Sequence, residues 1–179
     1  MKTLIWFISW TRHTELYAEW LGKEIKNTPY PANEIQLSDL SDYDIIIYGG
    51  PIHSEEIVGY KRLKKVIPYL DKQKFIVFGV GGVPESKENT EQVISKNFSK
   101  EEQERVKFFY LRGGFDPERL SGMHRLRVNL FKFKLGRKNK DHLTDGEIEL
   151  LQAYEHPDNF TDKENLKPIV DYITALENQ

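Results

Sequence analysis

The fold is decided by KTLIWFISWTRHTELYAEWL, residues 2–21, in which an apolar run is followed by a short polar loop and an amphipathic segment. The run from Lys2 to Ile8 is rich in β-branched and aromatic residues, which is typical of a strand covered on both faces. Apolar side chains then recur at helical spacing, at Leu16, Tyr17, Trp20 and Leu21. A strand that passes directly into a helix predicts a parallel sheet with helices on its faces.

Three further apolar runs have strand length and end in two glycines: YDIIIYGG (43–50), KFIVFGVGG (74–82) and RVKFFYLRGG (105–114). With a shorter strand in NEIQLSDL, the predicted strands are 2–8, 33–37, 43–49, 74–80 and 106–112. Helical patterns cover 14–27, 59–70, 89–96 and 161–176, the last of them capped by Thr161 or Asp162. The polar stretch 139–162 predicts loops with one short helix near EIELLQAYE.

The 39 % hydrophobic and 30 % charged content is that of a soluble globular protein, and the length suits one domain spanning residues 1–179. No stretch approaches the roughly 20 apolar residues of a membrane-spanning helix. The N-terminus is expected to be a buried strand rather than a signal peptide. The chain has no cysteine, which excludes disulfides, thiolate catalysis, iron–sulfur clusters and cysteine zinc sites, and fits a cytoplasmic location.

Three hydroxyl groups, on Ser9, Thr11 and Thr14, lie at the start of the first predicted helix. A helix N-terminus offers unbonded backbone N–H groups and a positive dipole end, which together attract phosphate. Hydroxyls there add donors aimed at the same oxygens. The alternative is that Thr11 or Thr14 only caps the helix, and the spacing alone does not separate the two interpretations.

The pattern Ser-x-Thr-x-x-Thr after a first buried strand resembles the flavodoxin phosphate loop, Ser/Thr-x-Thr-Gly-x-Thr. The segments YAEWLGKEI, YDIIIYGGPIHSEEIVGYKRLKK, KFIVFGVGG and FTDKENLKPIVDYITAL resemble, in order, segments of flavodoxin-domain proteins of the menaquinone-dependent protoporphyrinogen oxidase type. GGFDPERLSGMHRLRVNLFKFKLG is similar to the basic-aromatic segment that distinguishes this type from short electron-carrier flavodoxins. The resemblance implies a flavodoxin-like, doubly wound, five-stranded parallel sheet in the order 2-1-3-4-5.

The resemblance also implies an FMN cofactor, whose ring carries the electrons while the protein orients it. The FMN phosphate would be held by Ser9, Trp10, Thr11, Arg12, His13 and Thr14. Two loops would flank the isoalloxazine: Gly50, Pro51, Ile52, His53 and Ser54, and Gly81, Gly82, Val83 and Pro84. Trp10 and His53 are the candidates to stack on the ring, the alternative for Trp10 being a hydrophobic plug near the helix start.

The phosphate loop departs from the family pattern at Arg12, where the family has glycine, and at His13, where it usually has a small polar residue. Glycine permits close approach and unusual backbone angles. Arginine adds bulk, but also a fixed charge and a fork suited to phosphate. We expect phosphate binding to be retained, because all three hydroxyls are present, and we expect Arg12 to contribute charge to it. In the alternative, the loop is reshaped and FMN binding is weakened.

Between Arg119 and Lys140 there are eight basic residues and no acidic one, which leaves 18 basic and 28 acidic residues elsewhere. Aromatic and aliphatic residues interleave with these cations. The segment predicts either a helix packed on the domain with its lysines outward or a peripheral contact with an anionic membrane. Nucleic acid is a less favoured partner for such a mixed aromatic-basic segment. A quinone partner would suit membrane contact, because quinones reside in the bilayer.

Two function classes remain open. The first is an FMN oxidoreductase or electron carrier, linked to a porphyrinogen-like reductant, a quinone or another redox partner. The second is a flavin-free binding or regulatory module on a flavodoxin-like scaffold. GVGGVP is only a weak match to a nicotinamide fingerprint, because Pro84 replaces its third glycine. No metal site is predicted, and the paired glutamates 55–56 and 101–102 are expected to be solvated helix termini.

Overall fold

The computed structural model describes residues 1–115, 126, 129, 130, 133, 136, 137 and 158–178. Its strands are β1 (Thr3–Phe7), β2 (Pro29–Pro31), β3 (Ile45–His53), β4 (Glu56–Ile57), β5 (Lys74–Gly81), β6 (Val106–Arg112), β7 (Gly114–Phe115) and β8 (Asp158–Asn159). Its α-helices are α1 (His13–Glu24), α2 (Tyr60–Lys64), α3 (Lys87–Asn97), α4 (Lys100–Arg105) and α5 (Lys167–Glu177). Short 3-10 helices cover Leu37–Asp42, Ile67–Tyr69 and Lys163–Leu166.

The central sheet has five parallel strands in the order β2-β1-β3-β5-β6, and β4 adds an antiparallel hairpin to the end of β3. Counting only the parallel strands, this order is 2-1-3-4-5, so the predicted flavodoxin-like sheet is confirmed. The chain turns from β1 outward to β2 and then back across β1 to β3. The strand order therefore reverses at β1 and β3, whose carboxyl ends are the expected place for a ligand.

Two apolar cores, one on each face of the sheet, explain why the central strands are apolar throughout. On one face α1 and α5 cover alternate strand residues such as Ile5, Ile47 and Ile76. On the other face the segment from α2 to α4 covers residues such as Trp6 and Tyr48, whose rings meet edge to face at 5.0 Å. Because both faces are buried, these strands have no polar alternation.

The second strand is not where the sequence predicted it. The prediction was residues 33–37, whereas β2 is Pro29–Pro31 and the chain then forms the 3-10 helix Leu37–Asp42. Two prolines obscured the strand, because proline lacks the N–H that a central strand needs. Among the described strands, β2 pairs with β1 alone and lies at the sheet edge, which is the position where proline is tolerated.

The predicted helices exist, but their lengths and neighbours differ. The pattern 59–70 forms only the short α2 and a 3-10 turn, since Pro68 cannot continue an α-helix. The helix α4, Lys100–Arg105, was not predicted, although Ser99 and Glu102 form a capping box at its start. The helix predicted near 147–155 lies outside the described residues. Among the described helices, none is both long and apolar enough to cross a bilayer.

The expectation of solvated helix termini at the paired glutamates holds for Glu101, which is exposed in the first turn of α4, but not for the other three. Glu102 is only 8 % exposed, and its carboxylate accepts the Ser99 N–H at 2.7 Å and lies 2.8 Å from Lys64 Nζ. Glu55 and Glu56 belong to the β3–β4 hairpin rather than to a helix end. The buried Glu102 carboxylate therefore helps to hold α4 in place through its bonds to Ser99 and Lys64.

Candidate functional site

The carboxyl ends of the parallel strands bring the predicted site residues to one edge of the sheet. The loop 9–14 follows β1, the segment 50–54 completes β3, and the segment 81–84 follows the last residues of β5. Gly49 pairs with Phe7 on one side and with Phe78 on the other, so the three segments begin at the same level. Three stretches that are far apart in sequence therefore line a common edge, at the place where the strand order reverses.

Arg12 has a left-handed backbone, with φ 67° and ψ −13°, and immediately precedes α1. Few residues other than glycine adopt this conformation, which gives a physical reason for glycine in the family pattern at this position. The Arg12 side chain is 59 % exposed, and its Nε lies 3.4 Å from a carboxylate oxygen of Glu15. In the free chain, the guanidinium is thus engaged by an acidic group of the same helical turn.

The three hydroxyl residues of the loop have different environments. Ser9 Oγ accepts the backbone N–H of Glu15 at 3.3 Å, so it satisfies one of the free donors in the first turn of α1. Thr11 is half-buried, whereas Thr14 is only 1 % exposed. The residue that precedes α1, Arg12, makes no side-chain capping bond. Ser9 therefore contributes the observed cap, rather than Thr11 or Thr14 as the capping alternative supposed.

His13 is turned toward the body of the protein. It is 2 % exposed, and its Nδ1 lies 2.8 Å from Thr161 Oγ1 in a hydrogen bond between residues 148 positions apart. Gly113, after β6, packs against it: a Cβ built on Gly113 would lie 3.4 Å from the His13 Cβ. His13 thus connects the loop 9–14 to the end of β6 and to the segment before α5.

Tyr17, one turn further along α1, makes a second connection that the sequence did not predict. Its hydroxyl donates to the Arg112 carbonyl at 2.6 Å and accepts the Asp162 N–H at 3.3 Å and Asn165 Nδ2 at 2.8 Å. A tyrosine hydroxyl is protonated at neutral pH and can donate, and burial raises the pKa of Tyr17 further. Only the helix-capping pattern around Asp162 gave a sequence signal for this region.

The hairpin β3–β4 turns tightly through two residues with left-handed backbones, Ser54 at φ 49° and Glu55 at φ 67°. Asn97 at the end of α3 supports the turn: its Oδ1 accepts the Ile57 N–H at 2.8 Å, and its Nδ2 donates to the Glu55 carbonyl at 2.7 Å. Just before the turn, the His53 ring meets Trp10 edge to face, with the ring centroids 5.8 Å apart. The two residues predicted to stack on a flavin are thus neighbours.

The segment Gly81–Pro84 is held by Tyr110 of β6, whose hydroxyl donates to the Val83 carbonyl at 3.0 Å. A Cβ on Gly81 would collide with that hydroxyl, so a larger residue there would displace the Tyr110 side chain. A Cβ on Gly82 would meet no atom within 4 Å. Burial, with Glu85 nearby, raises the pKa of Tyr110. Tyr110 therefore packs closely against the segment at Gly81, whereas the space beside the Gly82 Cα contains no other atom of the described residues.

A cavity of about 230 Å³ lies between the hairpin and this segment, with α3 as its third wall. Its apolar lining comes from Ile52, Val83 and Tyr110, and its polar lining includes Ser54 and Gln92. Apolar walls with a few polar groups are typical of small-molecule sites.

The predicted site residues differ in how accessible they are. Gly50 and Gly81 are buried with His13 and Thr14, and the half-buried residues are Ser9, Trp10, Thr11, Pro51 and Ile52. The exposed residues are Arg12, His53, Ser54, Gly82, Val83 and Pro84. The sequence missed Glu15, Asn97 and Thr161. The exposed groups form the rim of the edge, whereas His13 and Thr14 lie beneath it.

Comparison with known proteins gives matches of two kinds. The model of a family described as the flavodoxin domain matches residues 4–142. A flavodoxin from the domain Archaea is 13 % identical over 87 % of this chain and 100 % of its own, with a TM-score of 0.42. The two-electron reduced flavodoxin of Megasphaera elsdenii is 18 % identical over 60 % of this chain and 82 % of its own, with a TM-score of 0.44.

A flavodoxin-like WrbA-like protein of Agrobacterium tumefaciens is 13 % identical over 69 % of this chain and 87 % of its own, with a TM-score of 0.43. No curated protein matches the chain. Because the family model covers residues 4–142 of 179, we conclude that this protein belongs to the flavodoxin domain family.

Proposed function

We propose that this protein binds FMN at the edge formed by residues 9–14, 50–54 and 81–84, and acts as a flavin oxidoreductase or electron carrier. The observation that carries the proposal is the meeting of Trp10 with His53 where the strand order reverses. Family membership makes a flavin the expected ligand of that edge. Bound FMN supplies one- or two-electron transfer, and the chain binds and orients it.

The donors near α1 fit a phosphate ester. The first N–H groups of a helix have no acceptor in the preceding turn, and the hydroxyls of Ser9 and Thr11 are partly accessible beside them. In this proposal they receive the phosphate oxygens, while the buried Thr14 supports the loop from below. Arg12 exchanges its contact with Glu15 for the phosphate, since charge-assisted guanidinium–phosphate bonds are among the stronger ones.

The isoalloxazine would lie between the hairpin and the segment Gly81–Pro84. Trp10 and His53 offer aromatic faces, and the open space above Gly82 admits a flat ring close to the backbone. Apolar lining from Ile52 and Val83 would exclude water from part of the ring. These features match a planar group whose phosphate end is held at α1.

The resemblance to the menaquinone-dependent protoporphyrinogen oxidase type leads us to propose a quinone as one redox partner, with a porphyrinogen-like donor as the other. The basic segment Arg119–Lys140 would then contact an anionic membrane peripherally. Its described apolar residues Leu126, Leu130 and Phe133 are 58 %, 59 % and 63 % exposed. Spacings of four and three residues would place them on one face of a helix, and the Arg137 guanidinium lies 5.1 Å from the Phe133 ring centroid.

A second candidate function is a flavin-free binding or regulatory module. The contact of Arg12 with Glu15, together with the burial of Thr14, favours it, because both reduce what the loop offers to a phosphate. In this case Arg12 would have a backbone conformation suited to glycine without a role in phosphate binding.

FMN titration of the apo chain separates the two functions. We expect the wild-type protein to become yellow and to retain FMN after dialysis. A Ser9→Ala/Thr11→Ala/Thr14→Ala variant should bind FMN at least tenfold more weakly, since the proposed phosphate bonds of Ser9 and Thr11 contribute about 1 kcal/mol each. Ser41→Ala, which removes an exposed hydroxyl from the 3-10 helix Leu37–Asp42, is the control. A folded wild-type chain that stays colourless would favour the flavin-free module, and equal FMN affinity in the triple variant would leave the loop as a helix cap only.

A further inference from the structure

Residues 116–157, which we call the inserted segment, are flanked by the two short strands β7 and β8. We call this strand pair the stem. The outgoing strand β7 pairs with the returning strand β8, with Gly114 opposite Asn159. The pairing continues where the Phe160 N–H donates to the Gly113 carbonyl at 3.1 Å. The guanidinium of Arg112 lies 3.5 Å from the centroid of the Phe160 ring. The two ends of the inserted segment are thus fixed to the last residues of β6.

The returning strand leads directly to the loop at the start of α1. Two residues after β8, Thr161 Oγ1 forms its 2.8 Å hydrogen bond with His13 Nδ1. The Thr161 N–H in turn donates to Asn159 Oδ1 at 3.1 Å, so the threonine is held by the stem itself. His13 is the first residue of α1 and follows Arg12 in the chain. The stem therefore reaches the predicted phosphate loop through one buried imidazole.

Tyr17 makes this connection a two-point attachment. Its hydroxyl binds Arg112 before the stem and Asp162 and Asn165 after it, one helical turn from His13. Two attachments one turn apart fix both the position and the rotation of the first turn of α1. Binding groups need such support, because small displacements of a donor weaken its contact with a ligand.

We propose that Thr161 is a positioning residue of the phosphate loop, acting through His13, so that the stem of the inserted segment is part of the cofactor site. This inference rests on the proposed FMN function. It adds that a residue from the C-terminal part of the chain sets the geometry of the phosphate loop. The contact orients His13, and the His13 backbone fixes where the N–H groups at the start of α1 point. Thr161 itself touches no cofactor.

The experiment compares FMN with riboflavin, which has the same ring but no phosphate. In Thr161→Val the hydroxyl is lost from a half-buried residue while its size is kept. We expect FMN affinity to fall about three- to tenfold with riboflavin affinity unchanged. Thr161→Ser keeps the hydroxyl and should restore the wild-type ratio. Thr174→Val is the matched control, since the exposed Thr174 hydroxyl donates to the Val170 carbonyl within α5.

The ratio of the two affinities separates positioning from general stability. A fall in both flavin affinities, or an unchanged ratio in Thr161→Val, would overturn the inference while leaving the proposed function intact. If Thr161→Val does not fold, Thr161→Ala takes its place with the same expected ratio. A folded wild-type chain that binds neither flavin would overturn the proposed function and, with it, this inference.

Discussion

At the scale of single residues, Arg12 has a left-handed backbone, with φ 67°, at the position where the flavodoxin phosphate-loop pattern has glycine. A side chain in this conformation costs roughly 1 kcal/mol or more relative to glycine. The pair with Glu15 offsets little of that cost, because exposed pairs contribute about 0–1 kcal/mol. Arg12 therefore lowers the folding free energy gained at this position, and such strain is often found at functional sites.

Substitutions of Arg12 and of Glu15 are expected to change the FMN affinity in opposite directions. Arg12→Gly should relieve the backbone strain and raise the unfolding free energy by about 1 kcal/mol. The same change should weaken FMN binding, because a guanidinium–phosphate contact is lost. Glu15→Gln should release Arg12 and strengthen FMN. Glu19→Gln, also on α1 but beyond the loop, is the control for charge. Titration of each apo variant checks this, and stronger FMN binding by Arg12→Gly would mean that Arg12 obstructs the site.

The hydroxyls of the loop could be predicted from the sequence, because their signal is local: one strand, one helix start and three short polar side chains. The orientation of the His13 side chain toward the protein interior could not be predicted. Its partner, Thr161, lies 148 residues away, and only the folded chain brings them together. For the same reason Asn97 was missed as the support of the β3–β4 turn.

At the scale of elements, the buried parallel strands were predictable because they are apolar on both faces. The strand β2 was not, since its two prolines are acceptable only once its place at the edge is known. The helix α4 was missed because it has only six residues, too few for a clear apolar period. Its capping box, Ser99 with Glu102, was the available signal.

The capping box of α4 makes folding stability depend on pH. Burial by itself would raise the pKa of Glu102, but Lys64 and the Ser99 N–H outweigh it, so the pKa lies below its usual value. A group whose pKa is lowered by folding stabilises the native state above its unfolded pKa, and this stability is lost as the pH falls through the folded pKa.

We therefore expect the unfolding free energy to decrease below about pH 4.5, near the unfolded pKa of a glutamate. Glu102→Gln should reduce this decrease and lower stability at pH 7 by roughly 1 kcal/mol, since the ion pair with Lys64 is lost. Chemical unfolding at a series of pH values measures both effects. Glu101→Gln, at the exposed neighbouring position, should behave as wild type. An identical pH profile in the two variants would contradict the role of Glu102.

At the scale of the whole molecule, charge is unevenly distributed along the chain. The segment Arg119–Lys140 has eight basic residues and no acidic one, while the rest of the chain has ten more acidic than basic residues. A uniform surface would give no preferred orientation near an anionic layer. This asymmetry directs one part of the molecule toward negative charge, and the membrane is the partner we propose for it.

Binding to lipid vesicles tests that proposal. The exposed Leu126, Leu130 and Phe133 provide apolar area, and the basic residues contribute about 1 kcal/mol each near an anionic surface. We expect binding to anionic vesicles that weakens with salt, and little binding to neutral ones. Replacing Lys132, Lys134, Arg137 and Lys138 by Glu should abolish binding without unfolding the sheet. It should also slow electron transfer to a membrane quinone more than to a water-soluble acceptor.

The control for that variant makes the same change in net charge on the body of the domain, at four exposed lysines: Lys65, Lys72, Lys74 and Lys96. Because both variants lose eight units of charge, attraction through net charge alone would weaken both equally. Attraction through the segment Arg119–Lys140 would weaken only the first. Sedimentation with vesicles of one-third anionic lipid at low salt measures the difference. If the wild-type protein stays in the supernatant there, the segment is not a membrane contact, and a docking face for a redox protein becomes the better explanation of its charge.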